Sequence, residues 1–156
     1  MRGLCGSRGV EIIHLAASVL LRIALGQPGA LAEWPRITRG VSSALIATES
    51  LRTLNRLRLR TGLADPEVAL RRATILSLIA SLEIVEIEAA VLDRAAQPMP
   101  TELGIFDAIH LTTALLWKES THAELVMATH DAALALAARA HGLSVVGVDM
   151  RRDFKY

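Results

Sequence analysis

The sequence predicts a single α/β domain with a central, mostly parallel sheet and helices on both faces. Short apolar segments rich in β-branched residues alternate with longer segments in which apolar residues recur every three or four positions. Strands that alternate with helices imply crossover connections, which parallel strands require. At 156 residues, the chain can bury one substantial core but is short for two domains. We therefore expect one domain at residues 10–150, an extension or cloning remnant at 1–9 and a tail at 151–156.

Local signals define each expected element. The apolar segment at 10–15 (VEIIHL) predicts a strand, and the Ala/Leu-rich segment at 18–25 predicts a helix that Gly26 and Pro28 end. Pro66 suits the first turn of a helix, and Gly142 suits a helix C-cap. The remaining expected elements are a short helix at 29–34, a strand at 40–43, helices at 44–61 and 66–81, a strand at 82–87, helices at 88–96 and 105–119, a strand at 124–129, a helix at 132–141 and a strand at 143–148.

Composition excludes several classes of protein. Cys5 is the only cysteine, so the chain has neither an internal disulfide nor a thiolate metal cluster. No apolar run approaches the ~20 residues of a membrane span. Basic and acidic residues nearly balance, 17 against 16, so a surface for nucleic acid requires local clustering of charge. We expect a soluble, cytoplasmic protein that does not associate with membranes.

Two acidic residues fall where a ligand site of an open α/β sheet is expected. Ligands bind beyond the carboxyl ends of the strands in such sheets. Asp131 directly follows the expected strand at 124–129, and Asp107 lies in the first turn of the expected helix at 105–119. Each also has an ordinary structural interpretation, because Asp131 suits a helix N-cap and Asp107 complements a helix dipole. Their positions alone leave both interpretations open.

Glu49 lies on an arginine-rich helix, away from its expected apolar stripe. It shares a face with Arg52 and Arg56, three and seven residues later. A solvated pair of glutamate and arginine explains this spacing as well as a functional site does, and such pairs contribute only ~0.3–0.5 kcal/mol. The expected stripe consists of Ala44, Ala47, Leu51, Leu54 and Leu57.

Four sequence segments resemble the successive motifs of PIN-domain proteins, most closely the VapC-type toxins of bacterial toxin–antitoxin modules. These segments are HLAASVLLR at 14–22, SSALIATESLR at 42–52, PTELGIFDAIHLTTALL at 100–116 and ATHDAALALAARAHGLSVVGV at 128–148. DAIHLTTA is the most specific of them. The resemblance extends in register over residues 10–148, and it implies a three-layer α/β/α fold.

The resemblance implies an acidic site for Mg²⁺ or Mn²⁺ that hydrolyses RNA. It assigns three of the family's four metal-binding acids to Glu49, Asp107 and Asp131. The first aspartate of the family ends the opening strand, in a motif commonly written Asp-Ala-Ser or Asp-Thr-Ser. This chain has Ala16 at that position. Either inactivation of a toxic nuclease or natural degeneration explains the alanine, and we expect a folded chain that binds metal weakly and has little activity.

Further residues complete the expected site. Ser18 and Thr129 are candidates to support metal-bound waters or neighbouring carboxylates, although Ser18 also suits a helix N-cap and Thr129 an ordinary strand position. His110 resembles a packed core histidine more than a ligand, and His14 and His130 lack the spacing of a zinc site. Arg52, Arg56 and Arg60, near Arg58, Arg71 and Arg72, form a candidate track for RNA phosphates, with a solvated helix surface as the alternative.

Two functions from different classes follow from these assignments. The first is an endoribonuclease toxin that forms a homodimer and is held inactive by a VapB-type antitoxin, as the resemblance implies. The second is a catalytically dead binding module that retains antitoxin or RNA binding. A nucleotide-binding domain is disfavoured because no glycine-rich phosphate loop follows any expected strand.

Overall fold

The computed structural model describes residues 12–149. Five strands alternate with six α-helices, and one 3₁₀ turn is present at Trp34–Arg36. The strands are β1 (Ile12–Leu15), β2 (Arg39–Ser43), β3 (Glu83–Val85), β4 (Val126–Ala128) and β5 (Ser144–Val146). The helices are α1 (Ala17–Ala24), α2 (Leu45–Thr61), α3 (Asp65–Ala80), α4 (Ala89–Ala95), α5 (Ile105–Thr121) and α6 (Ala132–Ala140).

The sheet has the strand order β3-β2-β1-β4-β5, and every neighbouring pair of strands is parallel. In the register of the central pair, Leu15 of β1 lies opposite Ala128 of β4. Because all five strands run in one direction, their carboxyl ends meet at one edge of the sheet, which we call the carboxyl edge. The loops and helix starts that follow the strands are therefore brought together there.

Two buried clusters cover the opposite faces of the sheet and produce a three-layer α/β/α fold, as predicted. On one face, Ile13 and Leu15 of β1 pack with Leu20, Ile46 and Ile75 of α1, α2 and α3. The cluster on the other face is formed chiefly by α5, α6 and the strands, and includes Val41, Leu111, Trp117, Met127, Leu134 and Ala138. Alternate residues of an extended chain point to opposite faces, and the extended Ala16 directly after β1 therefore belongs to the second cluster.

The prediction of a helix at residues 29–34 is wrong. Residues 27–33 form turns and bends, and the only regular structure nearby is the 3₁₀ turn Trp34–Arg36. Gly29 has a φ of 75°, which a right-handed helix does not allow, and Pro35 lacks a backbone donor. Leu31 is the only buried residue of the segment, so little packing energy favours a helix.

Other expected boundaries differ by a few residues. The strands expected at 82–87, 124–129 and 143–148 each contain only three residues, because each pairs over three positions. Gly147, with a φ of 96°, turns the chain directly after β5. The C-cap of α6 is His141 rather than Gly142, which follows it with a φ of 81°. Among residues 12–149, no helix is long and apolar enough to cross a membrane.

The buried face of α2 differs from the expected stripe. Ile46, Ser50 and Leu54 are its buried residues, whereas Ala47 and Leu51 are only half-buried. Ser50 is fully buried although it is polar, and a search for apolar residues alone therefore misses the centre of this face. Because the buried face is centred on Ser50, the neighbouring Glu49 lies at the border of the core and is half-buried.

Candidate functional site

Ala16 lies at the carboxyl end of β1 and is almost completely buried, with 3% of its surface exposed. Its backbone N–H donates a hydrogen bond to the carbonyl of Ala128 over 3.0 Å. Its extended backbone (φ −79°, ψ 156°) forms the N-cap of α1, without a side-chain capping bond. Position 16 therefore lies at the centre of the carboxyl edge, between the ends of β1 and β4.

Asp131 follows β4 and is the N-cap of α6. Its Oδ1 accepts a hydrogen bond from the backbone N–H of Leu134 over 2.8 Å, as expected for an N-cap aspartate. The backbone N–H of Asp131 donates to Oγ1 of buried Thr129 over 3.0 Å. The capping interpretation is therefore confirmed, and it leaves Oδ2 outside this bond.

Two further contacts fix the loop that carries Asp131. Ser18 Oγ accepts a hydrogen bond from the backbone N–H of His130 over 3.1 Å. Since a carbonyl only accepts, His130 Nδ1 donates its 2.7 Å hydrogen bond to the carbonyl of Gly147. The suggestion that Ser18 is the N-cap of α1 is wrong, because the helix begins at Ala17 and Ala16 is the cap. Ser18 instead joins the start of α1 to the loop before α6.

Asp107 lies in the first turn of α5 and is half-buried. Burial raises the pKa of its carboxyl above the usual 3.8, and the negative charges of Asp131 and Glu49 raise it further. His110 acts in the opposite direction and lowers this pKa. Asp107 thus interacts electrostatically with both other predicted acids, although the three come from distant parts of the sequence.

Glu49 of α2 contacts His110 of α5. Its Oε2 is 3.0 Å from Nε2 of His110, and 20% of its side chain is exposed. His110 is fully buried, so the expectation of a core histidine holds. Sequence reasoning missed its bond to Glu49. The spacing of Asp107 and His110 was an available signal, since residues three apart share a helix face.

The three acids have the chemistry of a site for a hard divalent cation, although they are not assembled around one. Among residues 12–149, no group of three or more histidine, cysteine, aspartate or glutamate side chains has an arrangement that could hold a metal ion. Carboxylate oxygens are nevertheless the ligands that such cations prefer, and Mg²⁺ retains several waters and needs few protein ligands. A cation would also relieve the repulsion that raises the pKa of Asp107. The donor set therefore fits the ion, with one oxygen-bearing side chain fewer because of Ala16.

The three predicted RNA-binding arginines are exposed on α2. Arg52, Arg56 and Arg60 follow Glu49 at intervals of three and four residues, so they lie along its side of the helix. Arg56 donates a hydrogen bond to Thr53 Oγ1 over 2.9 Å. Two neighbouring arginines are engaged in ion pairs: Arg58 with Asp65 at 2.7 Å, and Arg71 with Glu67 at 3.5 Å.

Gly147 was not recognised from the sequence. An added Cβ would lie 2.4 Å from the carbonyl oxygen of Thr129, which is closer than two such atoms can approach. The close approach also allows the bond from His130 to the Gly147 carbonyl. A glycine directly after a strand was the available signal, because it often marks such an approach.

The PIN-domain sequence profile matches residues 14–140. The chain belongs to the PIN-domain family. PIN domains are generally nucleases that use divalent metal ions, and the position of the acids at the carboxyl edge agrees with that chemistry. No curated protein sequence matches the chain.

Solved structures share the PIN fold at low sequence identity. PAE2754 from Pyrobaculum aerophilum is 21% identical, with a TM-score of 0.55 over 91% of this chain and 88% of that protein. VapBC2 from Rickettsia felis, bound to a DNA fragment from its promoter, is 9% identical, with a TM-score of 0.59 over 86% of this chain and 96% of the matched chain. At these identities, the similarity shows a common fold.

Proposed function

We propose that this PIN domain is the toxin of a VapBC-type module, with a metal-dependent endoribonuclease site whose activity Ala16 strongly reduces. The observation that carries the proposal is the electrostatic interaction of Asp107 with Asp131 and Glu49 at the carboxyl edge. A half-buried carboxylate beside two others destabilises the folded chain. Such a group is characteristic of a functional site, where it favours a bound cation.

Each acid has a separate task in this site. Asp107, Asp131 and Glu49 would hold the ion; the loop of Asp131 is fixed by Thr129 and Ser18, and Oδ2 of Asp131 and Oε1 of Glu49 lie outside the hydrogen bonds described above. A bound Mg²⁺ or Mn²⁺ would stabilise negative charge on the scissile phosphate and lower the pKa of the attacking water. Since Thr129 Oγ1 already accepts from the Asp131 backbone, its task is to hold the loop.

Ala16 reduces this site without a large cost to folding. The methyl group is buried in an apolar cluster, where it requires no hydrogen-bond partner. Replacing the family's aspartate removes one negative charge and one ligand from the centre of the carboxyl edge. We therefore expect a stable fold with weak metal binding and little cleavage.

RNA would approach along α2. Arg52, Arg56 and Arg60 extend about 16 Å from Glu49, at the rise of an α-helix, and would contact successive phosphates. The ion pairs of Arg58 and Arg71 make these residues poorer candidates. Among residues 12–149, Phe106 is the only phenylalanine, tyrosine or tryptophan that is exposed, so a folded RNA bound through its backbone suits the surface better than stacked single bases.

A VapB-type antitoxin would occupy the carboxyl edge and the start of α5. Ile105 and Phe106, directly before Asp107, are 71% and 47% exposed, and their apolar surface suits contact with a partner segment. An arginine of that segment would pair with the acids. As for VapC-type toxins, we propose a homodimer that acts in the cytoplasm.

Restoring the missing acid tests this function. We expect Ala16→Asp to cleave total RNA in the presence of Mg²⁺ or Mn²⁺, with activity abolished by chelation and in Ala16→Asp/Asp107→Asn. The parent chain should cleave at least about a hundredfold more slowly, as expected when a group acting in the transition state is absent. Inactivity of a folded Ala16→Asp chain on all RNA classes would contradict the nuclease function.

The alternative is a catalytically dead PIN module that retains antitoxin or RNA binding. The apolar packing of Ala16 favours it, because the buried methyl group suits the apolar cluster around it. Under this alternative, the parent chain binds RNA or antitoxin with an affinity no lower than that of Ala16→Asp. The Ala16→Asp chain does not cleave RNA. The same experiment therefore separates the two functions.

A further inference from the structure

A buried row of three side chains runs from the acidic site into the core. Glu49 of α2 contacts His110 of α5, and His110 contacts His14 of β1. Both histidines are fully buried, whereas Glu49 retains 20% exposure. The row thus joins α2 directly to α5 and ends at the central strand β1.

The hydrogen bond between Glu49 and His110 has a defined direction. A carboxylate only accepts, so Nε2 of His110 donates to Oε2 of Glu49 over 3.0 Å. This bond removes much of the rotational freedom of a glutamate side chain, which is among the larger side-chain entropies. It occupies Oε2 and leaves Oε1 outside the bond.

His14 supports the ring of His110 from behind. The two ring centroids are 5.8 Å apart, and the planes meet at 75° in an edge-to-face arrangement. Among the described residues, neither nitrogen of His14 nor Nδ1 of His110 has a hydrogen-bond partner. Burial is the main cause that lowers the pKa of His14 well below 6.5, and the neighbouring His110 is the second. His14 is therefore uncharged at neutral pH and packs against the ring of His110. Within residues 12–149, Glu49 is thus the hydrogen-bond partner of the His110 imidazole.

We propose that His110 is a positioning residue, which orients the Glu49 carboxylate for a cation that Glu49 and Asp107 would hold. This role rests on the proposed metal site. The buried Nε2–H of His110 requires an acceptor, and its acceptor is a carboxylate of the acidic site rather than a backbone carbonyl. The role also explains why a half-buried glutamate, away from the apolar face of α2, has a fixed partner on another helix. Partners of this kind typically change metal affinity 10- to 100-fold when removed.

Two substitutions of His110 separate positioning from packing. His110→Leu fills a similar volume but cannot donate, whereas the amide nitrogen of His110→Gln can reach Glu49. In the Ala16→Asp chain, we expect His110→Leu to raise the Kd for Mn²⁺ about tenfold and His110→Gln to raise it less than about threefold. Thermal unfolding of each variant measures the effect on packing separately.

A double-mutant cycle identifies the residue through which His110 acts. When Glu49→Gln is already present, we expect His110→Leu to change the Kd for Mn²⁺ less than about twofold, because no carboxylate remains to be oriented. An undiminished tenfold effect in that background would overturn the role, as would failure of His110→Gln to retain binding in a chain of parent stability.

A metal-free measurement tests the same bond. Nitrogen-15 spectra of the parent chain should show a proton on Nε2 of His110, with a proton shift that changes in Glu49→Gln and not in Glu88→Gln. An Nε2 without a proton would overturn the role while leaving the metal site untouched. Absence of any Mn²⁺ binding by the Ala16→Asp chain would instead contradict the proposed function itself, and His110 would then have no metal ligand to orient.

Discussion

The backbone N–H of Ala16 donates to the carbonyl of Ala128 over 3.0 Å, and this bond places the end of β1 beside the end of β4. Three residues beyond Ala128, Asp131 begins α6 and interacts with Asp107. Position 16 therefore lies next to the end of β4, which precedes Asp131 by three residues. An aspartate there would add a fourth carboxylate to a cluster that already raises the pKa of Asp107.

Asp107→Asn should stabilise the chain at neutral pH. The folded-state pKa of Asp107 is raised, so its favourable contribution is present below 3.8 and is lost as pH rises through the folded pKa. The amide removes this penalty, and we expect Tm at pH 7 to rise by about 2–4 °C, the shift produced by roughly 1 kcal/mol after screening by solvent. The gain should vanish near pH 3, where the parent carboxyl is neutral.

Asp93→Asn is the control for Asp107, because Asp93 is an exposed aspartate on α4. It should change Tm by less than a degree or so, as is usual for surface positions. Millimolar Mg²⁺ should stabilise Ala16→Asp more than Ala16→Asp/Asp107→Asn. A lower Tm for Asp107→Asn at pH 7 would show that its carboxylate is not under repulsion.

His14→Leu should make stability less dependent on pH. The folded pKa of His14 lies well below 6.5, so its contribution is present above 6.5 and is lost as pH falls towards the folded pKa. In this window, the unfolded parent binds one proton that the folded parent does not. The free energy of unfolding should therefore fall by up to about 1.4 kcal/mol per pH unit more in the parent than in His14→Leu.

Urea unfolding at pH 7.0, 6.0 and 5.5 measures this difference. His141→Gln serves as the control, because His141 is exposed. The control should retain the slope of the parent. Equal slopes for His14→Leu and the parent would mean that His14 takes up a proton in the folded chain as readily as in the unfolded one.

Arg52→Gln/Arg56→Gln should weaken RNA binding and lower its salt dependence. Removing one phosphate-binding side chain reduces the slope of log Kd against log salt by about 0.7–0.9, so we expect a reduction of about 1.4–1.8 for the pair. The parent chain suits the measurement, since little cleavage is expected during titration. Arg36→Gln/Arg139→Gln removes the same charge from exposed residues elsewhere. An identical slope for both pairs would indicate that α2 has no specific part in RNA binding.

The parallel sheet and the order of its elements could be predicted because hydrophobic periodicity is local. The helix expected at 29–34 failed because Gly29 and Pro35 override a weak pattern. The face of α2 was misjudged at Ser50, whose burial depends on its neighbours in space. Strand ends were overextended because a strand continues only while a neighbour pairs with it.

The candidate site was predictable in part. The positions of Asp107 and Asp131 follow from strand ends and helix starts, whereas Glu49 depended on resemblance to the PIN family. The spacing of Asp107 and His110 indicates that His110 lies on the helix face of the site, but its partner Glu49 is 61 positions away and is identified only in the folded chain. The close approach of Gly147 to Thr129 is likewise a property of the folded chain.

A Mn²⁺ titration of the parent chain and of Ala16→Asp, followed by electron paramagnetic resonance, tests most directly whether position 16 is the missing ligand of the site. Affinity for such cations rises with the number of carboxylate ligands, and we expect Ala16→Asp to bind at least about tenfold more tightly than the parent. Adding Asp107→Asn should abolish that gain. Equal affinity of the parent and a folded Ala16→Asp chain would contradict the claim that position 16 is a ligand position.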